Sequence, residues 1–357
     1  MSGNKLETTT ENAKNQRNNL PKIRVKWIRG SETINLTAPK TWVNLGQKGS
    51  GKSSLNEALA VNYPKIIDLF GSRDNEGLAW CRSPLKDSIL FICGDSVKIS
   101  TQYPVKKISE LTLKDFNDYD VALTVHSFFN NLREEFIGLN KILDILYQCT
   151  HWNEPWALVI REAANFIYSR ITLGKNQFEA KAEFIYLLRE GRHMGYPVGV
   201  DTIRWTSIDI EIRDVSDYIF IKSIGRKGLP PELRFVYRYI NPFSLMRMAP
   251  DKFLIITDTG AIGVGSFDFP YWHKKEKEDL LRQFNIEIEY GEVPNYGNPR
   301  RNTVSDFEHD NLMTIYEREK SCAKVAKLTG RSAQTINTHY RMHTQEGGCP
   351  ICRRIKN

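Results

Sequence analysis

Residues 41–60 read TWVNLGQKGSGKSSLNEALA, and this stretch decides the fold. TWVNL is a short apolar run of strand type that passes straight into Gly46-Gln47-Lys48-Gly49-Ser50-Gly51-Lys52-Ser53. The loop fits G-x-x-x-x-G-K-[ST], and SSLNEALAVNY (53–63) after it has helical spacing. Strand, glycine loop and helix thus follow in the order a phosphate-cradling loop needs. The glycines let successive backbone N–H groups face one point, and the helix adds the positive end of its dipole there. In that geometry Lys52 neutralises the β- and γ-phosphates of a nucleoside triphosphate, and the Ser53 hydroxyl ligates Mg²⁺. The expected nucleotide-binding set is Gly46, Gln47, Lys48, Gly49, Ser50, Gly51, Lys52, Ser53 and Ser54. A GTPase would also need N-K-x-D after a later strand, whereas Asn140-Lys141 runs into Ile-Leu, so ATP is the expected nucleotide. Kinases, helicases and DNA motors share this loop, and other sites must separate them.

Working outward, IRVKWIRG (23–30) and ETINLTA (32–38) alternate like the two strands of a small hairpin. KIIDLF (65–70), SILFICG (88–94), YDVALTVHSF (119–128), WALVI (156–160), YPVGVDT (196–202) and DYIFIKS (217–223) are further apolar strands, with amphipathic stretches at 132–150 and 178–195 between them. Alternating strands and helices predict an α/β domain over 23–288: a mainly parallel P-loop NTPase sheet with helices on both faces. KFLIITDTG and AIGVGSFDF form an expected closing hairpin, and HKKEKEDLLRQFN a charged helix. Residues 289–306, rich in Gly, Pro and Asn, read as a linker to a small all-α module.

WALVI is followed by Arg161-Glu162. An apolar strand that ends on a charge pair is how a nucleotide-hydrolysing sheet delivers its acid to a phosphate, but the usual first member is Asp. The distance from the phosphate loop leaves room for a strand between the two. Glu162 is then the expected base that orients water. For Asp68 and Arg73, in the turn DLFGSRDNEG, the sequence does not separate loop from site.

The phosphate loop, the strand ending in Arg161-Glu162-Ala163 and EGRHMGYPVGVDTIRWTSID (190–209) together resemble the HerA/FtsK superfamily of P-loop ATPases, over roughly residues 40–270. Its members include DNA translocases, conjugation coupling ATPases and viral genome-packaging ATPases. The resemblance implies a homo-oligomeric ring in which an arginine of one subunit reaches the next subunit's γ-phosphate. Arg170, Arg192 and Arg204 are the candidates, each of which could equally be an ordinary surface or capping arginine. Two positions depart from the pattern: Arg161 where the family has Asp, and Ile203 where it often has Gln. An Arg beside the triphosphate would remove an anion from the Mg²⁺ shell and add a cation. Otherwise Arg161 points away or contacts a neighbouring subunit, or it pairs with Glu162 or another acid at the sheet edge and hydrolysis is lost. A gain of turnover in Arg161→Asp would mean a strand tuned to hold ATP.

MTIYEREKSCAKVAKLTGRSAQTINTHYRMH (313–343) reads as a helix-turn-helix over 307–345. Ala326 lets two helices cross closely, Gly330 turns, Ser332 caps, and Ile336 is buried. Arg331, Ser332, Gln334, Asn337, Thr338 and Arg341 would face DNA, the amides suiting adenine edges and the others phosphates or guanine. From Arg318 onward nine basic residues face only Glu319 and Glu346, a net +7 out of +8 for the chain, which places the positive charge where duplex DNA would be met. An oligomerising helix pair has the same apolar spacing. His339 and His343, one turn apart, precede Cys349-Pro-Ile-Cys352 in the basic tail 346–357. Two N and two S donors suit a closed structural Zn²⁺ site that pins the tail. The alternatives are a reduced cysteine pair or a redox C-x-x-C, which belongs beside a βαβ unit.

Apolar content of 41% and charged content of 26% are those of an ordinary globular chain, so the core is built conventionally. No apolar run reaches the roughly 18 residues of a membrane helix. The polar residues 1–22 have no apolar h-region and predict a disordered tail rather than a secretory signal. Six scattered cysteines predict a reducing, cytoplasmic setting. The function expected is an ATP-hydrolysing DNA-associated motor. The alternative is a DNA-binding regulator switched by ATP binding with little hydrolysis, which the departures at Arg161 and Ile203 favour.

Overall fold

Strands that are apolar along their whole length must be covered on both faces, and the runs around the phosphate loop assemble accordingly. The computed structural model describes residues 20–36, 38–69, 75–148, 156–167, 175–226, 228–273, 279–291, 316, 319–329 and 333–344. The chain divides into two compact units, Met1–Glu292 and Val293–Asn357.

In the first unit the strands in chain order are β1 (Ile23–Arg29), β2 (Thr41–Leu45), β3 (Lys65–Leu69), β4 (Ile89–Cys93), β5 (Val97–Ser100), β6 (Val105–Lys107), β7 (Val121–Leu123), β8 (Trp156–Ile160), β9 (Val198–Thr202), β10 (Tyr218–Ile221), β11 (Lys252–Thr257), β12 (Ile262–Phe267) and β13 (Glu287–Tyr290). Eleven of them form one sheet, in the order β1-β12-β11-β10-β2-β9-β8-β3-β7-β4-β6. From β10 to β6 every pairing is parallel, while β11, β12 and β1 close the other side antiparallel. β9 therefore lies between the phosphate-loop strand β2 and the charged-ended strand β8. That is the interposed strand expected from their separation in sequence.

Helix α1 (Lys52–Ala60) covers the centre of this sheet, with Leu55, Ala58 and Leu59 sealed from solvent. Trp42 of β2 lies over Gly199 of β9, where a Cβ would come within 2.3 Å of the indole, so only glycine allows the two strands this packing. The indole N–H then donates to Asn56 of α1 at 2.8 Å, and the Asn44 amide donates to the same oxygen at 2.7 Å. Strand, helix and neighbouring strand are thereby locked in one register just below the loop. The longer helices α2 (Leu132–Gln148) and α3 (Lys175–Met194) pack on each other.

Three expectations change. Residues 32–36 are not a strand, and β1 pairs with β12 instead, because a hydrophobic strand finds a wider partner in the main sheet than in a two-stranded hairpin. Residues 289–290, assigned to the linker by composition, belong to β13, which pairs antiparallel with β5 through Ile288 and Ile99. Of the charged helix, only Leu280–Gln283 is helical among the described residues.

In the second unit, helices α4 (Cys322–Thr329) and α5 (Ala333–Thr344) bury Val325 against Ile336, with Tyr316, Cys322 and Ala326 around them. Tyr316 and Tyr340 stack with centroids 3.8 Å apart.

Candidate nucleotide site

The site forms at the carboxyl edge of the parallel strands, where loops leave the sheet and α/β proteins bind their ligands. The phosphate loop leaves β2 and is stitched to both neighbours. Gly46 N–H donates to the Thr202 carbonyl at 3.1 Å, and Gln47 N–H to the Ser223 carbonyl at 2.9 Å. Gly51, at φ 85° just before α1, closes the turn against the Pro250 carbonyl, and a Cβ there would come within 2.5 Å of that oxygen. The loop is thus held by strands on either side, before any ligand arrives. No acidic residue of α1 itself occupies its first turn. Lys52 Nζ donates to the Gln47 carbonyl at 3.1 Å, an interaction that a phosphate oxygen can replace. Ser50 and Ser54 are buried, Lys48 is exposed, and Ser53 lies half-buried at the head of the helix.

Beside the loop, β9 contributes a group that sequence reasoning passed over. Asp201 is 1% exposed, and its Oδ2 accepts from the Ser53 hydroxyl at 3.4 Å. Its Oδ1 accepts from the backbone N–H of Glu162 at 2.6 Å. Burial pushes the Asp201 carboxyl up to about 6, against the pull of the Lys52 ammonium and the Glu162 N–H. Position 203, where the resemblance places the sensor, lies beyond the strand, and Ile203 is 51% exposed. The signal available was the Asp in VGVDT, one strand-length from a loop whose partner strand was not known.

Glu162 has φ 47° and ψ 48°, the left-handed region that costs a non-glycine residue about 1 kcal/mol or more. The Asp201 carboxylate holds this conformation by taking its N–H. The side chain of Glu162 is exposed, and its backbone N–H and the Ser53 hydroxyl share the Asp201 carboxylate.

Arg161 turns the other way. Its guanidinium is fully buried and donates to Asp68 of β3 at 2.6 and 3.0 Å and to Glu57 of α1 at 2.8 Å. Trp80 donates to Asp68 at 2.6 Å, and His273 Nδ1 lies 3.1 Å from Glu57. Of the alternatives open in the sequence, pairing with acids is the one observed, although the partners are Asp68 and Glu57 rather than Glu162. Burial works against the arginine's charge, but Asp68 and then Glu57 more than offset it. Burial alone would also raise Glu57, yet His273 and then Arg161 hold it below the usual carboxylate range. The cluster is a sealed tie between α1, β3 and β8, and it presents no cation to a nucleotide in the loop.

His273 binds its proton more tightly here than at its ordinary value of 6.5, because Glu57 outweighs burial. Its contribution to stability is full below that value and fades as pH rises through the raised one. Lys222, pushed down to about 7 by burial, acts in the opposite direction as pH rises above that value, so a variant isolates the effect. The melting temperature of the unaltered chain, relative to His273→Gln, is expected to fall as pH rises above about 6.5 through the raised value. A difference independent of pH would rule this out.

Of the remaining predicted residues, Arg204 is exposed just past β9, and Arg192 lies near the end of α3. Arg170 and Arg73 lie outside the described residues. Gln334, Asn337 and Arg341 are exposed on α5, which also carries Thr338, while Arg331 and Ser332 are outside the described residues. His339 and His343 bring their Nε2 atoms to 3.2 Å, whereas Cys349 and Cys352 lie outside the described residues. Among the described residues, no helix is long and apolar enough to cross a membrane.

No family model and no curated protein matches the sequence. Solved structures to which the chain is similar include the genome packaging NTPase B204 from Sulfolobus turreted icosahedral virus 2 in complex with AMP, at 17% identity and a TM-score of 0.39, over 65% of this chain and 98% of that one. Another is the pCW3 conjugation coupling protein TcpA with ATPγS, at 11% identity and a TM-score of 0.38, over 73% of this chain and 70% of that one. A third is Thermomonospora curvata EccC (ATPases 2 and 3), at 10% identity and a TM-score of 0.39, over 70% and 41% respectively.

Proposed function

We propose that this chain, a P-loop ATPase of the HerA/FtsK-like type, binds and hydrolyses ATP as a DNA-associated motor of the translocating or packaging kind. One observation carries the proposal. Lys52, Ser53 and the exposed Glu162 meet at one sheet edge, with β9 interposed between their strands. A triphosphate in the loop would displace the Lys52–Gln47 contact and sit within the field of the α1 N-terminus. The oxygen donors of Ser53 and Asp201 are of the hard type that Mg²⁺ prefers, so the residues fit that ion. Mg²⁺, when bound, supplies charge neutralisation to the phosphates. Glu162 orients and deprotonates the attacking water.

The regulator alternative draws on the departures at Arg161 and Ile203: the burial of Arg161 in an acid pair takes its cation away from the nucleotide but leaves the end of β8 without the usual Asp. The rest of the proposal concerns assembly. An arginine of the next subunit, from Arg170, Arg192 or Arg204, completes the site in a ring. Duplex DNA meets α5 through Gln334, Asn337, Thr338 and Arg341, with Arg331 and Ser332 at its head. The converging rings of His339 and His343 support a Zn²⁺ site shared with Cys349 and Cys352.

Phosphate release from ATP, measured with and without duplex DNA, tests the motor. It is expected to rise with DNA and to stop in Lys52→Ala. Absence of turnover under both conditions would overturn the proposal. Turnover indifferent to DNA would keep the ATPase and remove the motor.

A further inference from the structure

The departure at position 161 leaves a chemical requirement unmet. A magnesium ion on a triphosphate needs a carboxylate in or near its shell, beside the loop hydroxyl that ligates it. Arg161 cannot supply one; Glu57 and Asp68, which take its hydrogen bonds, are sealed in the sheet, and Glu76, part-exposed, is paired with its guanidinium at 3.9 Å. The sheet brings a different carboxylate to the place where one is needed.

We infer that Asp201, at the end of β9, is the residue that holds the magnesium shell of bound ATP, a role displaced by one strand from the position at 161. Four observations support this. Asp201 is on the strand hydrogen-bonded to β2, in register with Asn44, so its strand end adjoins the start of the loop. Its Oδ2 is within hydrogen-bond distance of the Ser53 hydroxyl, the group that would ligate the ion. It is almost wholly buried and feels the Lys52 ammonium, so its charge is directed into the phosphate site rather than into solvent. Its other oxygen takes the N–H of Glu162, which couples the metal carboxylate to the base. One side chain thus joins the loop serine to the hydrolytic strand. Arg161 is then free to serve the fold, because the carboxylate it displaced is provided by β9.

The assignment rests on the nucleotide-binding proposal, and the test separates the two. The affinity of the full-length chain for mant-ATP is measured in Mg²⁺ and in EDTA, for the unaltered protein and for Asp201→Asn. Asparagine is close to isosteric and keeps an oxygen for the Glu162 N–H. In the unaltered chain, Mg²⁺ is expected to tighten binding. In Asp201→Asn that gain should shrink by about 10- to 100-fold, the usual loss when a group supporting a metal is removed. Affinity in EDTA should hold or rise, since a carboxylate facing the phosphates is gone. A residue that only positions Glu162 would change turnover and leave this metal dependence intact. The smaller Asp201→Ser is the second variant, and undiminished metal dependence in whichever of the two folds overturns the assignment. Absence of mant-ATP binding by the unaltered chain in either buffer would overturn the nucleotide proposal itself, and this assignment with it.

Discussion

Arg161→Asp is expected to unfold the sheet rather than accelerate turnover. The substitution looks like a restoration when only the strand end is considered, because it returns the usual acid to its usual place. In the fold it puts a third carboxylate against Asp68 and Glu57, all of them buried, and removes the cation both depend on. Breaking a buried ion pair by deleting one partner costs about 3–5 kcal/mol, since the remaining charge keeps its desolvation penalty and loses its compensation. Arg161→Ala is therefore expected to lower the melting temperature by on the order of 10 °C. Arg161→Asp should do worse, leaving little soluble protein. If the penalty comes from stranded charge, neutralising the partners as well recovers part of it, so Arg161→Met with Glu57→Gln and Asp68→Asn should melt above Arg161→Ala. A thermal or urea melt checks the series. An Arg161→Asp protein that melts like the unaltered chain would show that the cluster holds nothing together.

Glu162→Gln should separate binding from chemistry. The amide keeps the size of the side chain, and the backbone N–H that Asp201 accepts is untouched, so the left-handed turn is retained. What is lost is a group able to take a proton from water, and removing a positioned general base costs roughly 10²- to 10⁴-fold in turnover. ATP binding, governed by the loop and Lys52, should be unchanged. The pair of measurements is a phosphate-release rate and a mant-ATP affinity. Full turnover in Glu162→Gln would assign the base elsewhere. Loss of nucleotide affinity together with turnover would make Glu162 a binding residue.

These two adjacent residues, one solvent-facing and one buried, show where sequence and tertiary structure divide the problem. The phosphate loop was legible from residues 41–60 because its chemistry is local. Strand, glycines, Lys52 and Ser53 need only their own spacing to converge on a phosphate, and no distant residue alters that. The parallel sheet was legible for a similar reason, as apolar runs alternating with helical spacing admit few other arrangements. The second strand of the expected N-terminal hairpin failed because alternation reports one half-buried face and is silent about the partner, which for β1 is β12 at the far end of the domain.

Tertiary structure alone decided which groups Arg161 and Asp201 touch. The partners of Arg161 lie 93 and 104 residues away, and Asp201 lies 148 residues from Ser53 and 39 from Glu162. Only the order of strands in the sheet sets those pairs side by side, and a charge's role follows from the charges beside it and the water excluded around it. By itself the sequence determined that a loop of the phosphate-binding pattern begins at Gly46 and that a charged strand end follows WALVI. The packing of β9 between β2 and β8 determined which of the charges at that edge lies beside the loop and which is sealed inside.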